Sequence, residues 1–196
     1  SDLGLILPIS QWILEAACSQ IKLWENKPPA QQLQLAVNIS VRQFYQPDFV
    51  ERVCAILEKT AIHPSRLKLE LTENLVRSNI DDAIIKMLAL KKIGVHFSMD
   101  NFGIGCSSLP CLAQLPLEQL KIDQSFVSNI GIKSSDNVIV QIIIGMAGNL
   151  NLEVIAEGVE TEEQRAFLKL NGCSNYQGYL LGRPMPIEEF ECLLGV

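Results

Sequence analysis

No stretch of this sequence approaches the roughly 18–20 unbroken apolar residues that a membrane-spanning helix needs. The longest candidate, Val138–Ile144, contains Gln141 and runs into Gly145. Histidine is scarce, with only His63 and His96, and the six cysteines form no CxxC pair. Zinc-binding spacing is therefore missing. Basic residues are outnumbered, 16 Lys and Arg against 22 Asp and Glu, for a net charge of −6. That balance argues against a nucleic-acid polymer as partner, because such binders cluster lysine and arginine. It leaves a small phosphorylated ligand open, since bound cations reverse the local sign. No glycine-rich phosphate loop of Rossmann or Walker form follows the first predicted strand. There is no fixed-period repeat, low-complexity segment or interdomain linker, and Ser1-Asp2-Leu3-Gly4 lacks the basic region of a secretion signal.

What is present is apolar. A hydrophobic share of 48% excludes disorder as the default and fits strands buried on both faces, as in a parallel sheet. Cys18, Cys54, Cys106, Cys111, Cys173 and Cys192 then read as buried, reduced thiols of a cytoplasmic domain. Helical patterns are predicted over Pro8–Asn26, Pro47–Lys59, Ile80–Lys92, Asp136–Leu150, Thr161–Asn171 and Ile187–Leu194. In the first, Trp12, Ile13, Ala16, Ile21, Leu23 and Trp24 supply the apolar positions. Thr161 with Gln164 forms a capping box, and Gly172 ends that helix. Short apolar runs predict strands at Leu33–Ile39, Arg66–Leu71, Val95–Met99, Gln119–Ile122, Glu153–Ala156 and Tyr176–Leu181. Strand–helix alternation with short connections predicts a parallel α/β sheet, with a (β/α) barrel favoured over an open doubly wound sheet. Six strands fall short of eight, and a helix comes first. The expectation is one domain over residues 1–196, with its first strand or strands missing.

The strands end alike. Each runs into a group able to bind a cation or a proton: Asn38, Glu70 (with Glu73 one turn on), Asp100 and Asn101, Asp123, Glu157 and Gln177. In a (β/α) barrel these ends converge on the face that carries active sites. Gathered carboxylates repel one another, and hard divalent cations such as Mg²⁺ or Mn²⁺ relieve that with oxygen-only ligands. Lys121, alone among the acids, suits a role in orienting water or stabilising a phosphoryl oxygen. The residues point to a metal-assisted enzyme acting on a phosphoester or an enolisable acid. Singly, any of them is better explained as a helix cap or loop polar group; six strand ends together are not.

The runs Val37-Asn38-Ile39-Ser40, Glu70-Leu71-Thr72-Glu73, Asp100-Asn101-Phe102-Gly103, Lys121-Ile122-Asp123, Ala156-Glu157-Gly158-Val159-Glu160 and Gln177-Gly178-Tyr179 resemble, in order and spacing, the signature of the EAL domain family. The resemblance spans essentially the whole chain. It implies a modified (β/α)8 barrel that hydrolyses cyclic di-GMP to linear pGpG with two Mg²⁺ or Mn²⁺ ions. It implies metal ligation by Asn38, Glu70, Asp100, Asn101 and Asp123, and catalytic roles for Lys121, Glu157 and Gln177. Glu73 would anchor the loop Asp100–Leu109. The resemblance further implies a sensory or GGDEF domain upstream, a possible homodimer, and a full-length protein open to membrane tethering. The family's Glu-Ala-Leu segment and the arginine after it lie outside this chain, so the 196 residues alone are expected to be inactive.

The departures sit in one loop. Asn101 stands where the family has a second aspartate, Ile104 where threonine is usual, and Cys106 where tyrosine is usual. Asn101 keeps an oxygen donor but loses a charge, which should weaken the second cation. Two functions follow from the resemblance: a phosphodiesterase, impaired to some degree, or a degenerate cyclic di-GMP receptor or dimerisation module.

Overall fold

The computed structural model describes residues 4–105 and 109–195. In chain order the elements are α1 (Ile6–Trp24), β1 (Leu35–Asn38), α2 (Val41–Phe44), α3 (Phe49–Thr60), a 3-10 turn (Pro64–Arg66), β2 (Leu67–Thr72), α4 (Glu73–Ser78), α5 (Ile80–Lys92) and β3 (His96–Phe102). They continue as α6 (Leu109–Gln114), β4 (Gln119–Ile122), α7 (Gln124–Val127), α8 (Ser134–Asn149), β5 (Glu153–Ala156), α9 (Glu162–Leu170), β6 (Asn175–Tyr176) and α10 (Ile187–Leu194). They fall into two compact units, Ser1–Leu71 with Asp81–Phe97 and Met185–Val196, and Thr72–Ile80 with Ser98–Pro184.

In the first unit, α1 buries Leu14, Ala17, Cys18, Ile21 and Trp24, a 3–4 spacing that puts all five on one stripe against α3 and β1. This corrects the predicted apolar face. Trp12 and Leu23 are 68% and 63% exposed, because they lie off that stripe. β1 and β2 run parallel, with Leu35 opposite Leu67 and Asn38 opposite Glu70. Arg66 ties the entry of β2 to the chain before β1 by donating to the carbonyls of Leu33 and Ala30.

In the second unit, β3, β4, β5 and β6 pair in chain order, all parallel. Every residue of β4 is buried, as a strand covered on both faces requires. Ile122, Val127, Val140, Ile143, Ala156, Val159 and Leu168 make one core from β4, β5, α7, α8 and α9. The capping box is present. Thr161 Oγ1 accepts from Gln164 N at 3.2 Å, and Gln164 Oε1 accepts from Thr161 N at 3.1 Å. A cap of this kind contributes about 1 kcal/mol.

Three expectations need correction. The last strand is only Asn175–Tyr176, and residues 177–181 turn, with Leu181 N bonded to Gly178 O. The run Ile142–Ile144, expected to be helix core, is so only in part: Ile143 is buried but Ile142 faces solvent, since α8 covers its sheet with one stripe only. Cys18 and Cys173 are buried free thiols, whereas Cys192 is exposed. The expectations for Cys106 fall outside the described residues.

Candidate active site

In the second unit two of the candidate groups, Glu157 and Gln177, begin where strands stop, whereas Asp100, Asn101 and Lys121 lie within β3 and β4. Glu157 follows β5 directly, and its peptide N–H donates to Ile122 O, the last carbonyl of β4, at 3.1 Å. Gln177 follows β6 and donates to Ala156 O, the last carbonyl of β5, at 2.8 Å. Each parallel ladder is thus extended by one step, and the two side chains start at neighbouring strand ends.

Lys121 is the hub. It lies on the buried strand β4 with its side chain 6% exposed. Its Nζ stands 2.7 Å from Glu157 Oε1 and 3.3 Å from Asp100 Oδ1. Gln177 Nε2 donates to the same Glu157 Oε1 at 2.6 Å. One buried ammonium between two acids compensates part of the charge that desolvation penalises, though not all of it. Burying an ion trio of this kind is weak evidence for stability and stronger evidence for chemistry.

Asp100 is held from the other side by its neighbour. Asn101 Nδ2 donates to Asp100 Oδ2 at 3.1 Å. Asn101 has φ +53°, a left-handed conformation that asparagine tolerates better than most residues. The β3–β4 register shifts between Met99 and Phe102, so the Asp100-Asn101 pair sits on a bulge rather than on a regular strand. Asp100 Oδ1 is buried and has no hydrogen-bond partner among the described residues.

Asp123 is buried and caps α7, its Oδ1 accepting from Ser125 N at 2.8 Å. Glu73, also buried, accepts from Gly105 N at 3.2 Å. Asn101, Glu73, Arg77 and Ile104 line an open cavity of about 610 Å³. In the first unit, Asn38 at the end of β1 is the cross-strand partner of Glu70, which lies within β2, two residues before its end. Asn38 is exposed, Glu70 is buried, and Glu70 O accepts from Ile39 N at 3.0 Å.

The donors are carboxylate and amide oxygens, with one buried carboxylate oxygen not hydrogen-bonded, and that chemistry fits a hard divalent cation. Among the described residues, no three His, Cys, Asp or Glu side chains gather closely enough to hold a metal ion. In the second unit the Lys121 ammonium stands between Asp100 and Glu157.

Sequence reasoning missed the Asn101–Asp100 contact and the bulge that enables it. It also passed over Ser98 and Gln119, two buried polar residues on β3 and β4.

Residues 1–184 match the family model described as EAL domain. The chain belongs to the EAL domain family. It is 42% identical over 186 residues to a Pseudomonas aeruginosa protein named bifunctional diguanylate cyclase/cyclic di-GMP phosphodiesterase MucR, covering 95% of this chain and 27% of that one. A solved structure titled PaMucR phosphodiesterase, c-di-GMP complex, superposes with a TM-score of 0.92 at 41% identity, over 95% of this chain and 75% of that one. A Klebsiella pneumoniae BlrP1 manganese/cy-diGMP complex matches with a TM-score of 0.77 at 29% identity, over 89% of this chain and 45% of that one. The expected α/β barrel class is thus the fold of this EAL chain's solved relatives. The chain spans about a quarter of the length of the curated relatives it matches. No described helix is long and apolar enough to cross a membrane.

Proposed function

We propose that the longer protein of which this EAL chain is part hydrolyses cyclic di-GMP to linear pGpG with the aid of divalent cations. The observation that carries the reading is the buried Lys121 ammonium on β4, held between Asp100 on β3 and Glu157 just after β5. It is supported by 42% identity to a relative named as a cyclic di-GMP phosphodiesterase.

The roles follow from chemistry. Lys121 supplies the positive charge that steadies a phosphoryl oxygen or orients water. Glu157 holds Lys121 in place and, with Gln177 on the same oxygen, positions a water for attack. Asn38, Glu70, Asp100, Asn101 and Asp123 would hold the cations, Mg²⁺ or Mn²⁺. When bound, those ions neutralise phosphoryl oxygens and lower the pKa of water. Glu73 anchors the loop after β3 through the Gly105 amide. The upstream neighbour would be a sensory or GGDEF domain, and the active form a homodimer.

A second reading has its own observation. Asn101 brings no charge, and its amide occupies Asp100 Oδ2 as a donor. That favours a receptor that binds cyclic di-GMP without cleaving it. Incubation of the full-length protein with cyclic di-GMP and Mn²⁺, followed by chromatography for pGpG, separates the two. Product formation that stops on Lys121→Met supports the enzyme. No product, with calorimetric binding of cyclic di-GMP in Ca²⁺, supports the receptor. Neither product nor binding ends both.

A further inference from the structure

The turn after β6 is pressed against the turn after β5. Val159 N donates to Gln177 O at 3.0 Å, and Leu180 N donates to Val159 O at 3.0 Å. Both main-chain polar groups of Val159 are therefore held by residues 177–180, and Gly178 is laid across them. A Cβ built on Gly178 would overlap the Val159 nitrogen and carbonyl oxygen. Those atoms are main chain, so no change of rotamer clears them. Gly178 also has φ +154°, a conformation that residues with a side chain rarely adopt. Only a residue without a side chain fits this seat.

Val159 is the side of this contact that stays put. Its side chain is fully buried in the core with Ile122, Ala156 and Leu168, and moving it would open a void among close-packed apolar atoms. The turn after β6 is freer to move, since Tyr179 and Leu181 are exposed. Gln177 lies between the two. Its peptide N donates to Ala156 O at 2.8 Å, and its O accepts from Val159 N. The first tether belongs to the strand ladder and the second to the Gly178 seat. Held at both ends, residue 177 sends its side chain to Glu157, where Nε2 donates to Oε1 at 2.6 Å. Held only at its nitrogen, the residue would be free to rotate and carry its amide off Glu157. The same Oε1 pairs with Lys121 Nζ at 2.7 Å, so a displacement at Gly178 reaches the hub through a single side chain.

We propose that Gly178 is a positioning residue for Gln177: its bare Cα, seated on the Val159 peptide, keeps the Gln177 amide on Glu157. Gly178 acts through Gln177 and contributes no side chain to the site. The inference rests on the proposed role of Gln177 and Glu157 in placing a water, and adds the main-chain contact that sets their spacing.

Crystal structures of the full-length protein and of its Gly178→Ala variant read the geometry without any need for turnover. The expected variant keeps its strands and its Lys121–Glu157 pair, while Gln177 Nε2 lies beyond about 3.5 Å from Glu157 Oε1. A variant with the Gln177–Glu157 hydrogen bond intact overturns the proposal. Cyclic di-GMP turnover by the full-length protein in Mn²⁺ gives a second readout. Gly178→Ala should lower kcat about 10- to 100-fold with KM within about twofold of the parent. Gln177→Ala should do the same, and the double variant should lose no more than either single one. Losses that multiply would make Gly178 a support of the fold alone and overturn the proposal. Should Gly178→Ala fail to fold, an ester in place of the Val159 peptide nitrogen deletes the bond to Gln177 O and adds no atom. It should lower kcat in the parent and not in Gln177→Ala, and an unchanged kcat in the parent background overturns the proposal. A parent that makes no pGpG ends the proposed function, and the two crystal structures still decide whether Gly178 holds Gln177.

Discussion

Two charge clusters in this protein look alike on a contact map and differ in kind. Around Lys121, one ammonium meets two carboxylates in a site almost closed to solvent. Around Glu191, on α10, one carboxylate collects Trp24 Nε1 at 2.9 Å, Lys27 Nζ at 2.8 Å and Gln20 Nε2 at 3.3 Å. Two of those three donors are neutral, and the lysine is 36% exposed. The Glu191 cluster fastens α10 to α1 with the Trp24 and Phe190 rings 6.0 Å apart beside it. It leaves little charge uncompensated and needs no further partner. The Lys121 cluster concentrates unlike charges where water cannot screen them, and leaves one carboxylate oxygen without a hydrogen bond. A fastening can be made from neutral donors. A buried trio of ions is better suited to act on a charged ligand.

Removing the hub should separate the two clusters most clearly. Lys121→Met leaves Asp100 and Glu157 buried without their cation, a loss of about 3–5 kcal/mol in urea unfolding. pGpG formation should fall at least about 100-fold. Retention of both stability and turnover would make the cluster an ordinary surface pair. Next comes Gly105→Ala. A Cβ there would press on the Glu73 carboxylate, the flexible end of that side chain, so the change should break the Glu73–Gly105 hydrogen bond, cost about 0.5–1.5 kcal/mol and release the loop from Glu73. An unchanged unfolding midpoint would show that the Glu73–Gly105 contact gives way freely. Asn101→Asp should raise Mn²⁺ affinity about tenfold, read from the free-Mn²⁺ electron paramagnetic resonance signal. It exchanges a donor for a second charge beside Asp100, and an unchanged signal would assign the weak point elsewhere.

The Glu191 cluster predicts a smaller effect with a pH signature. Hydrogen bonds from Lys27 and Trp24 hold its carboxyl below the ordinary value of 4.5. A carboxyl with a lowered folded pKa binds fewer protons folded than unfolded. Its contribution is present above 4.5 and is lost as pH falls through the lowered value. Glu191→Gln should therefore flatten the acid limb of a stability–pH curve and leave pGpG formation at neutral pH unchanged. A curve that keeps its shape would remove Glu191 from the account. The smallest effect concerns thiols. Burial pushes Cys18 up to about 11 and raises Cys173, so both stay protonated at neutral pH and resist alkylation, while exposed Cys192 reacts first. Mass spectrometry of a timed labelling reaction reads the order directly.

How far the sequence carried depends on the kind of signal. β4 and β5 were legible to the residue, because four apolar-flanked positions between clear helices leave no other register. α5 and α10 were also legible, bounded by acidic first turns. The strand-end residues stood out because polar groups after buried strands are conspicuous. What stayed hidden was set by tertiary contact. The side of α1 that turns inward depends on α3 and β1, and Trp12 looked like core until those neighbours were in place. The four-residue helices α2 and α7 have too few turns to show a period. The bulge at Asp100-Asn101 exists only relative to β4, and no single strand's pattern reveals a register shift.

The two peptide amides at positions 157 and 177 have a consequence for how this protein can vary. Each hangs from the terminal oxygen of the strand before it, so Glu157 and Gln177 inherit their starting points from main chain alone. Apolar substitutions along β4, β5 and β6 can drift with lineage or design and still launch both side chains from the same place. Proline is the exception: lacking the amide proton, it would cut the tether at either position and set the side chain beyond it adrift.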